Sequence, residues 1–358
     1  MSQPSVWIAV DAMGGDFAPQ EIVAGALRGS QRYGVGVFLV GKSVAIQAEI
    51  DALKQKGHTN GAVFQIIPAD EVVEMGEEPV KALRQKKNAS IAVTAQLVRQ
   101  GKAQAMVAAG STGAAMASAT TFIGRIKGIK RPAIAIPMPG LNSPCLMLDA
   151  GANAECTSQM LLQFAHMGSL FMESVFRVEK PRVGLLNIGE EPGKGNTLCK
   201  ETLPLLMEEA GLNVIGNVEG KDIFWSRVDV AVCDGFTGNV ALKSAEGIVT
   251  MVLHSIKTLF LATLWTQLVG ALARPILGKI KKKVHPEEFG GALLLGIDGI
   301  CVISHGGSTA YAIENAIRVA EDAVRQCVIE KITKRISETR ASSDIEEIQV
   351  MDGEAHAL

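Results

Sequence analysis

Aromatic side chains make up only 4% of the 358 residues, although hydrophobic residues reach 47%. The apolar mass is therefore small and aliphatic, and 37 glycines accompany it. Charge of one sign is also lacking: 35 basic and 37 acidic residues leave a net charge of -2. That excludes a global basic field for nucleic acid, so any attraction to an acidic partner has to be local. The six cysteines form no C-x-x-C pair, and no His, Cys, Asp or Glu cluster has the spacing of a metal site. They read as small buried hydrophobes in a reducing compartment. The opening MSQPSVWIAVDAMGGD lacks the basic segment and long apolar stretch of a secretory leader, so a cytoplasmic protein is expected. A mean hydropathy of +0.22 excludes a disordered chain.

Short, nearly continuous apolar runs recur, among them VWIAV (6–10), VGVFLVG (35–41), AQAMVAAG (103–110), RVGLLNIG (182–189) and VDVAVCDG (228–235). Most end in Gly or Asp and precede a helical pattern. Strands buried on both faces and alternating with helices predict a three-layer α/β/α fold with a mostly parallel sheet. Residues 1–336 read as a single large α/β unit, and 337–358, with six acids and one Arg, as an acidic, mobile tail.

In such sheets ligands gather beyond the carboxyl ends of the strands. The loops there share one chemistry: DAMGGD with Asp11, Gly14 and Gly15; AGSTGA; DAGAN with Asn153; NIGEEPGKGN with Lys194 and Asn196; NVEGKD; and DGFTGN with Asp234, Gly238 and Asn239. Together they predict one polar, glycine-lined cleft. In AGSTGA, Gly110, Ser111, Thr112 and Gly113 stand between a strand and a helix, where backbone N–H groups and hydroxyls suit an anion. A helix cap at Ser111 is the plainer alternative. Lys194 lies in a glycine loop that fails as a nucleotide P-loop, because Gly195 replaces the required Ser or Thr. It is either a solvated loop lysine or a partner for phosphate or an oxyanion. Asn239 is either an amide donor or an N-cap. His305, in HGGST, is the one histidine embedded in a glycine loop and a candidate acid. No nucleophile elbow and no Cys–base pair is visible, which favours direct transfer over a covalent intermediate.

Sixteen uncharged residues lie between Lys257 and Arg274. As one helix they would span roughly 24 Å, short of the roughly 30 Å hydrocarbon core. Ile256, Phe260, Leu264, Leu268 and Leu272 recur at i+4, Trp265 sits beside them, and Lys279, Lys281, Lys282 and Lys283 follow. This segment, within a predicted apolar helical hairpin of about 250–285, suits either an anionic membrane surface, contacted through about 256–283, or a subunit interface.

The succession AVDAMGGD-x-AP, AGSTGA, LDAGAN, GLLNIGEE-x-x-KGN, NVEG-x-D, DGFTGNV-x-LK and the final HGGS resembles the bacterial phosphate acyltransferases (acyl-ACP:phosphate acyltransferases) of phospholipid synthesis, from about Ile8 to about Arg325. Ser111 stands where that family usually has Asn, and Ala150 where it usually has Val. The resemblance implies transfer of a long-chain acyl group from acyl carrier protein to inorganic phosphate, without cofactor or metal. It implies a fold like isopropylmalate dehydrogenase and phosphotransacetylase, a homodimer, and a downstream membrane glycerol-3-phosphate acyltransferase. Lys194, Asn239 and His305 become the candidate catalytic residues, and Gly110, Ser111, Thr112 and Gly113 the phosphate cradle. Asp11, Gly14, Gly15, Asn153, Asn196, Asp234 and Gly238 become loop-shaping residues. Two basic patches could dock the acidic carrier: Lys81, Arg84, Lys86 and Lys87, or Arg125, Lys127, Lys130 and Arg131. A short-chain phosphotransacetylase acting on acyl-CoA is the rival reading.

Overall fold

Why continuous apolar runs make a sheet here is visible in β1 (Trp7–Asp11), whose Ile8 and Val10 face one hydrophobic layer while Ala9 faces the other. The structure, a computed structural model, describes residues 4–284 and 286–338. The further strands are β2 (Gly36–Gly41), β3 (Val63–Pro68), β4 (Ala105–Ala108), β5 (Ala133–Met138), β6 (Cys145–Leu148), β7 (Arg182–Leu186), β8 (Asn213–Val218), β9 (Val230–Val232), β10 (Ala292–Leu295) and β11 (Ile300–Ile303). Among the described residues they form one 11-stranded sheet, ordered β3-β2-β1-β4-β11-β10-β5-β6-β9-β7-β8.

Helices Gln20–Tyr33, Ser158–Ser174 and Ala310–Arg325 cover one face with Ile22, Leu27, Phe164, Phe171, Ile313 and Ile317. Helices Ser90–Arg99 and Thr112–Ser118 cover the other with Ile91, Ala95 and Ala115. Each large aliphatic side chain fully buried this way contributes about 1.5–3 kcal/mol. The three-layer α/β/α architecture expected from the sequence is thus present.

The strand directions decide where the loops go. β1, β2, β3, β4 and β11 are mutually parallel, as are β6, β7, β8 and β9. Between the blocks, β10 is antiparallel to β11 and β5, and β5 is antiparallel to β6. The two blocks therefore run in opposite directions, and their carboxyl ends lie at opposite edges. The sequence predicts all the glycine loops at one edge; the structure divides them between two diagonal corners. A twisted sheet is saddle-shaped, and its diagonal corners curl toward the same face. Consistently, helix Thr112–Ser118 from one corner and helix Gly235–Leu261 from the other both pack on the same face, through Ala115 and through Ala241 and Leu242.

Helix Gly235–Leu261 has 27 residues. It is about 40 Å long, about twice a six-residue strand, so its far half projects beyond the sheet. The chain returns through helix Leu264–Val284, whose Gly270 lies against the Phe260 ring. It re-enters the sheet at Ala292, paired with Ile303. The hairpin thus stands on the edge that carries the loops after β4 and β11. The continuous apolar helix expected between Lys257 and Arg274 is broken at 262–263. There Thr263 Oγ1 accepts from the Thr266 amide at 3.2 Å and Thr266 Oγ1 from the Thr263 amide at 3.0 Å, a reciprocal cap that starts a new helix. No helix among the described residues is long and apolar enough to cross a membrane. Residues 328–338 are helical, so the expected tail is structured at 337–338; its remainder lies outside the described residues.

Candidate active site

At the first corner, three loops interlock. The Asp16 amide donates to the Gly306 carbonyl at 2.8 Å, tying DAMGGD to HGGST. Gly14 packs on Gly110 so closely that a Cβ on Gly14 would lie 3.0 Å from the Gly110 nitrogen and 2.8 Å from Asp11 Oδ2. Asp11 ends β1 buried, accepting from the Met13 amide at 3.2 Å. Burial pushes its carboxyl up, against the opposing pull of the Ser90 hydroxyl and the Met13 and Gly14 amides. Ser111 is the N-cap of helix Thr112–Ser118, its oxygen accepting from the Ala114 amide at 3.4 Å. That geometry uses a lone pair and leaves the hydroxyl proton free for an acceptor. His305 is exposed, and its Nδ1 accepts from the Gly307 amide at 3.2 Å. The neutral ring therefore carries its proton on the outward Nε2.

The second corner is built on Asp149, fully buried at the end of β6. Its Oδ1 accepts from the amides of Ile134, Gly151 and Ala152 at 3.0, 3.2 and 3.0 Å. Its Oδ2 accepts from the Asn153 amide at 2.7 Å and from Asn153 Nδ2 at 2.9 Å. Asn153 Nδ2 also reaches the Pro132 carbonyl at 2.8 Å. The DGFTGN loop then lies directly on this hub. A Cβ on Gly238 would fall 1.9 Å from the Asp149 carbonyl oxygen, so only glycine fits. Asp234 caps the helix, Oδ1 accepting from the Thr237 amide at 2.8 Å. Asn239 is therefore one turn inside the helix and not its cap, with its side chain exposed and packed on Gly151.

Beside it, the Lys194 loop is pinned by two asparagines. Asn187 Nδ2 donates to the Lys194 carbonyl at 3.1 Å. Asn217 Nδ2 donates to the Glu191 carbonyl at 2.9 Å, which also accepts from the Lys194 amide at 3.1 Å. Asn196 caps helix Thr197–Glu208 through the Cys199 amide at 2.9 Å. The Lys194 side chain is exposed and has no carboxylate partner among the described residues. Asp11 and Asp234 shape their loops, and neither is paired with a lysine among the described residues. No hydrogen bond joins Ser111 or His305 to Lys194 or Asn239 among the described residues.

Asp149, Asn187 and Asn217 are missing from the residues chosen by sequence. A polar residue closing an apolar strand, as in LMLD, GLLN and VIGN, is the signal that marks them. Thiols near the second corner are poor nucleophiles: burial pushes Cys156 up to about 12 and also raises Cys199 and Cys233.

Two parallel blocks of a doubly covered α/β sheet, running in opposite directions and each ending in glycine loops, define a phosphotransacetylase-like fold. The fold is shared with a phosphotransacetylase from Streptococcus pyogenes (TM-score 0.59, 17% identity, covering 89% of this chain and 94% of that one). It is also shared with 4-hydroxythreonine-4-phosphate dehydrogenase from Klebsiella pneumoniae (TM-score 0.52, 13% identity, 90% and 98%). A family model for fatty acid synthesis proteins matches residues 6–331. A phosphate acyltransferase from Dictyoglomus turgidum is 46% identical over 338 residues, 94% of this chain and 99% of that one. The chain belongs to the phosphate acyltransferase family.

Replacing Asp149 by Asn turns one acceptor oxygen into an amide that faces at least two N–H donors. Asp149→Asn is expected to destabilise the protein by about 2–4 kcal/mol, read by chemical denaturation. A loss below about 0.5 kcal/mol, the range of an ordinary surface change, would show that the hub is not needed.

Proposed function

We propose that this acyltransferase moves a long-chain acyl group from the thioester of acyl carrier protein to inorganic phosphate, giving an acyl phosphate for phospholipid synthesis. The observation that carries the reading is two capped helix starts on glycine loops, with Lys194 on an anchored glycine loop, no carboxylate paired with it among the described residues, and the Cys156 thiol held protonated by burial. Phosphate is already partly dianionic near pH 7 and attacks a thioester without a strong base. The protein's task is then to position it and to stabilise the tetrahedral oxyanion.

In this reading Gly110, Ser111, Thr112 and Gly113 cradle phosphate with backbone N–H groups and hydroxyls. Lys194 places positive charge on phosphate or on the oxyanion, and the Asn239 amide is the second donor. His305, with its proton on Nε2, donates a hydrogen bond that stabilises the leaving thiolate, which then takes its proton from solvent. The bond formed joins a phosphate oxygen to the acyl carbonyl carbon, and the bond broken is carbon–sulfur. Thiol release from long-chain acyl carrier protein should therefore require phosphate. Phosphate-dependent release from acetyl-CoA but none from the long-chain donor would favour the short-chain rival. Lys194→Ala should lower turnover by at least about 100-fold, the loss typical of a missing oxyanion donor, with unchanged melting temperature. Near wild-type turnover would remove Lys194 from the mechanism.

The hairpin suits the remaining partners. Leu264 and Trp265 at its tip are 84% and 78% exposed, flanked by Lys257, Arg274 and Lys279. Nearer the sheet, helix Gly235–Leu261 exposes Val240, Ile248, Met251 and Val252. We assign the tip to an anionic membrane surface, where the product meets the downstream glycerol-3-phosphate acyltransferase, and the stem to a second copy in a homodimer. Leu264→Glu with Trp265→Glu should abolish cosedimentation with phosphatidylglycerol vesicles and leave a dimer in sedimentation equilibrium. Retained vesicle binding, or a monomeric wild type, would contradict the assignment.

A further inference from the structure

Two basic patches could receive an acidic protein, and the structure separates them. Around Lys81, Arg84 and Lys87 the charges are mixed: Glu71, Glu74, Glu77 and Glu78 come from the same stretch of chain, and Glu78 caps helix Pro79–Gln85. Lys86 is committed inward, its Nζ donating to Glu77 Oε2 at 2.6 Å and to the Val72 carbonyl at 2.7 Å. With the Lys86–Glu77 pair set aside, an acidic partner would meet three carboxylates beside three cations there.

The loop 124–131 differs in both charge and build. Arg125, Lys127, Lys130 and Arg131 are all exposed, and none has a carboxylate partner among the described residues. Asp298, whose amide donates to the Gly124 carbonyl at 2.9 Å, is the acid that the loop's backbone contacts. The loop is held rather than loose. Ile126 and Ile129 are buried in the core, and Arg125 bridges to Ile297 in antiparallel fashion. Gln163 clamps it from both sides, its Nε2 donating to the Gly128 carbonyl at 2.9 Å and its Oε1 accepting from the Lys130 amide at 2.9 Å. The Arg125 guanidinium donates to the Lys130 carbonyl, which fixes one cation against the loop. Four cations presented on an anchored platform cost a partner little ordering entropy.

Its position matters as much. The loop runs directly into Pro132, whose carbonyl receives Asn153 Nδ2 at 2.8 Å, so it borders the corner that carries Asn239. It also lies at the edge opposite the hairpin root, since Ile297 follows β10 while the hairpin enters at its start.

We propose that the 124–131 loop, and not the 81–87 patch, is the docking surface for the acidic protein carrier that brings the acyl thioester; this rests on the acyl-carrier reading above. Exposed rim charges of this kind set encounter rate and apparent affinity more than the chemical step. The double reversal Lys127→Glu with Lys130→Glu should raise the KM for long-chain acyl carrier protein at least tenfold, leave kcat within twofold, and flatten the dependence of kcat/KM on salt. The same variant should treat the protein-free donor acyl-pantetheine as wild type does. Lys81→Glu with Arg84→Glu should leave the carrier KM unchanged. An unchanged KM in the first variant, or a raised KM in the second, overturns the assignment. So does loss of binding to phosphatidylglycerol vesicles by the first variant with KM intact, because the loop would then serve a membrane. A wild type inactive with acyl carrier protein but active with acyl-pantetheine would instead sink the acyl-carrier reading itself.

Discussion

One buried carboxylate organises the half of the molecule that carries Lys194 and Asn239. Asp149 sits in a medium where an unsatisfied oxygen costs several kcal/mol, and it answers that cost with five N–H donors and, among the described residues, no cation. Those donors come from β5 and from the DAGAN turn, Asn153 included, so the carboxylate fixes two backbone segments at once. Its own carbonyl leaves no room for a side chain at Gly238, and this sets how the next helix begins. Asn239 reaches solvent beside Gly151 because of that packing. The corner is therefore rigid before any ligand arrives, which is what positioning chemistry requires.

At the opposite corner the constraint is backbone against backbone. Gly14 and Gly110 meet at a distance that excludes side chains, and Asp16 ties the pair to Gly306. Helices from the two parallel blocks pack on the same face of the sheet, through Ala115 and through Ala241 and Leu242.

Much of this was legible from pattern. Runs such as VWIAV and VAVCDG are strands because they are apolar on both faces, and the glycine motifs after them are loops because no other residue closes such turns. What escaped depends on distant pairing. β10 and β11, ALLL and ICVI, are four residues each between glycines and look like loop in isolation. The reversal of direction across β5 and β10 is a property of the register and not of any segment, so the loops were expected at one edge. Asp149 draws its partners from backbone amides, which a sequence does not display. Thr263 and Thr266 break an apolar helix only because each caps the other. The 81–87 patch looked basic until Lys86 turned inward to Glu77.

The chemistry follows from what is held and what is missing. In the proposed reaction phosphate is the nucleophile, and the protein contributes no covalent intermediate. Cys156, Cys199 and Cys233 surround the second corner, but burial keeps them as thiols. The most direct test is the intact mass of the protein after incubation with long-chain acyl carrier protein in the absence of phosphate. The mass should stay unchanged, with no carrier thiol released until phosphate is added. A protein heavier by one acyl group, with carrier thiol released before phosphate, would contradict it.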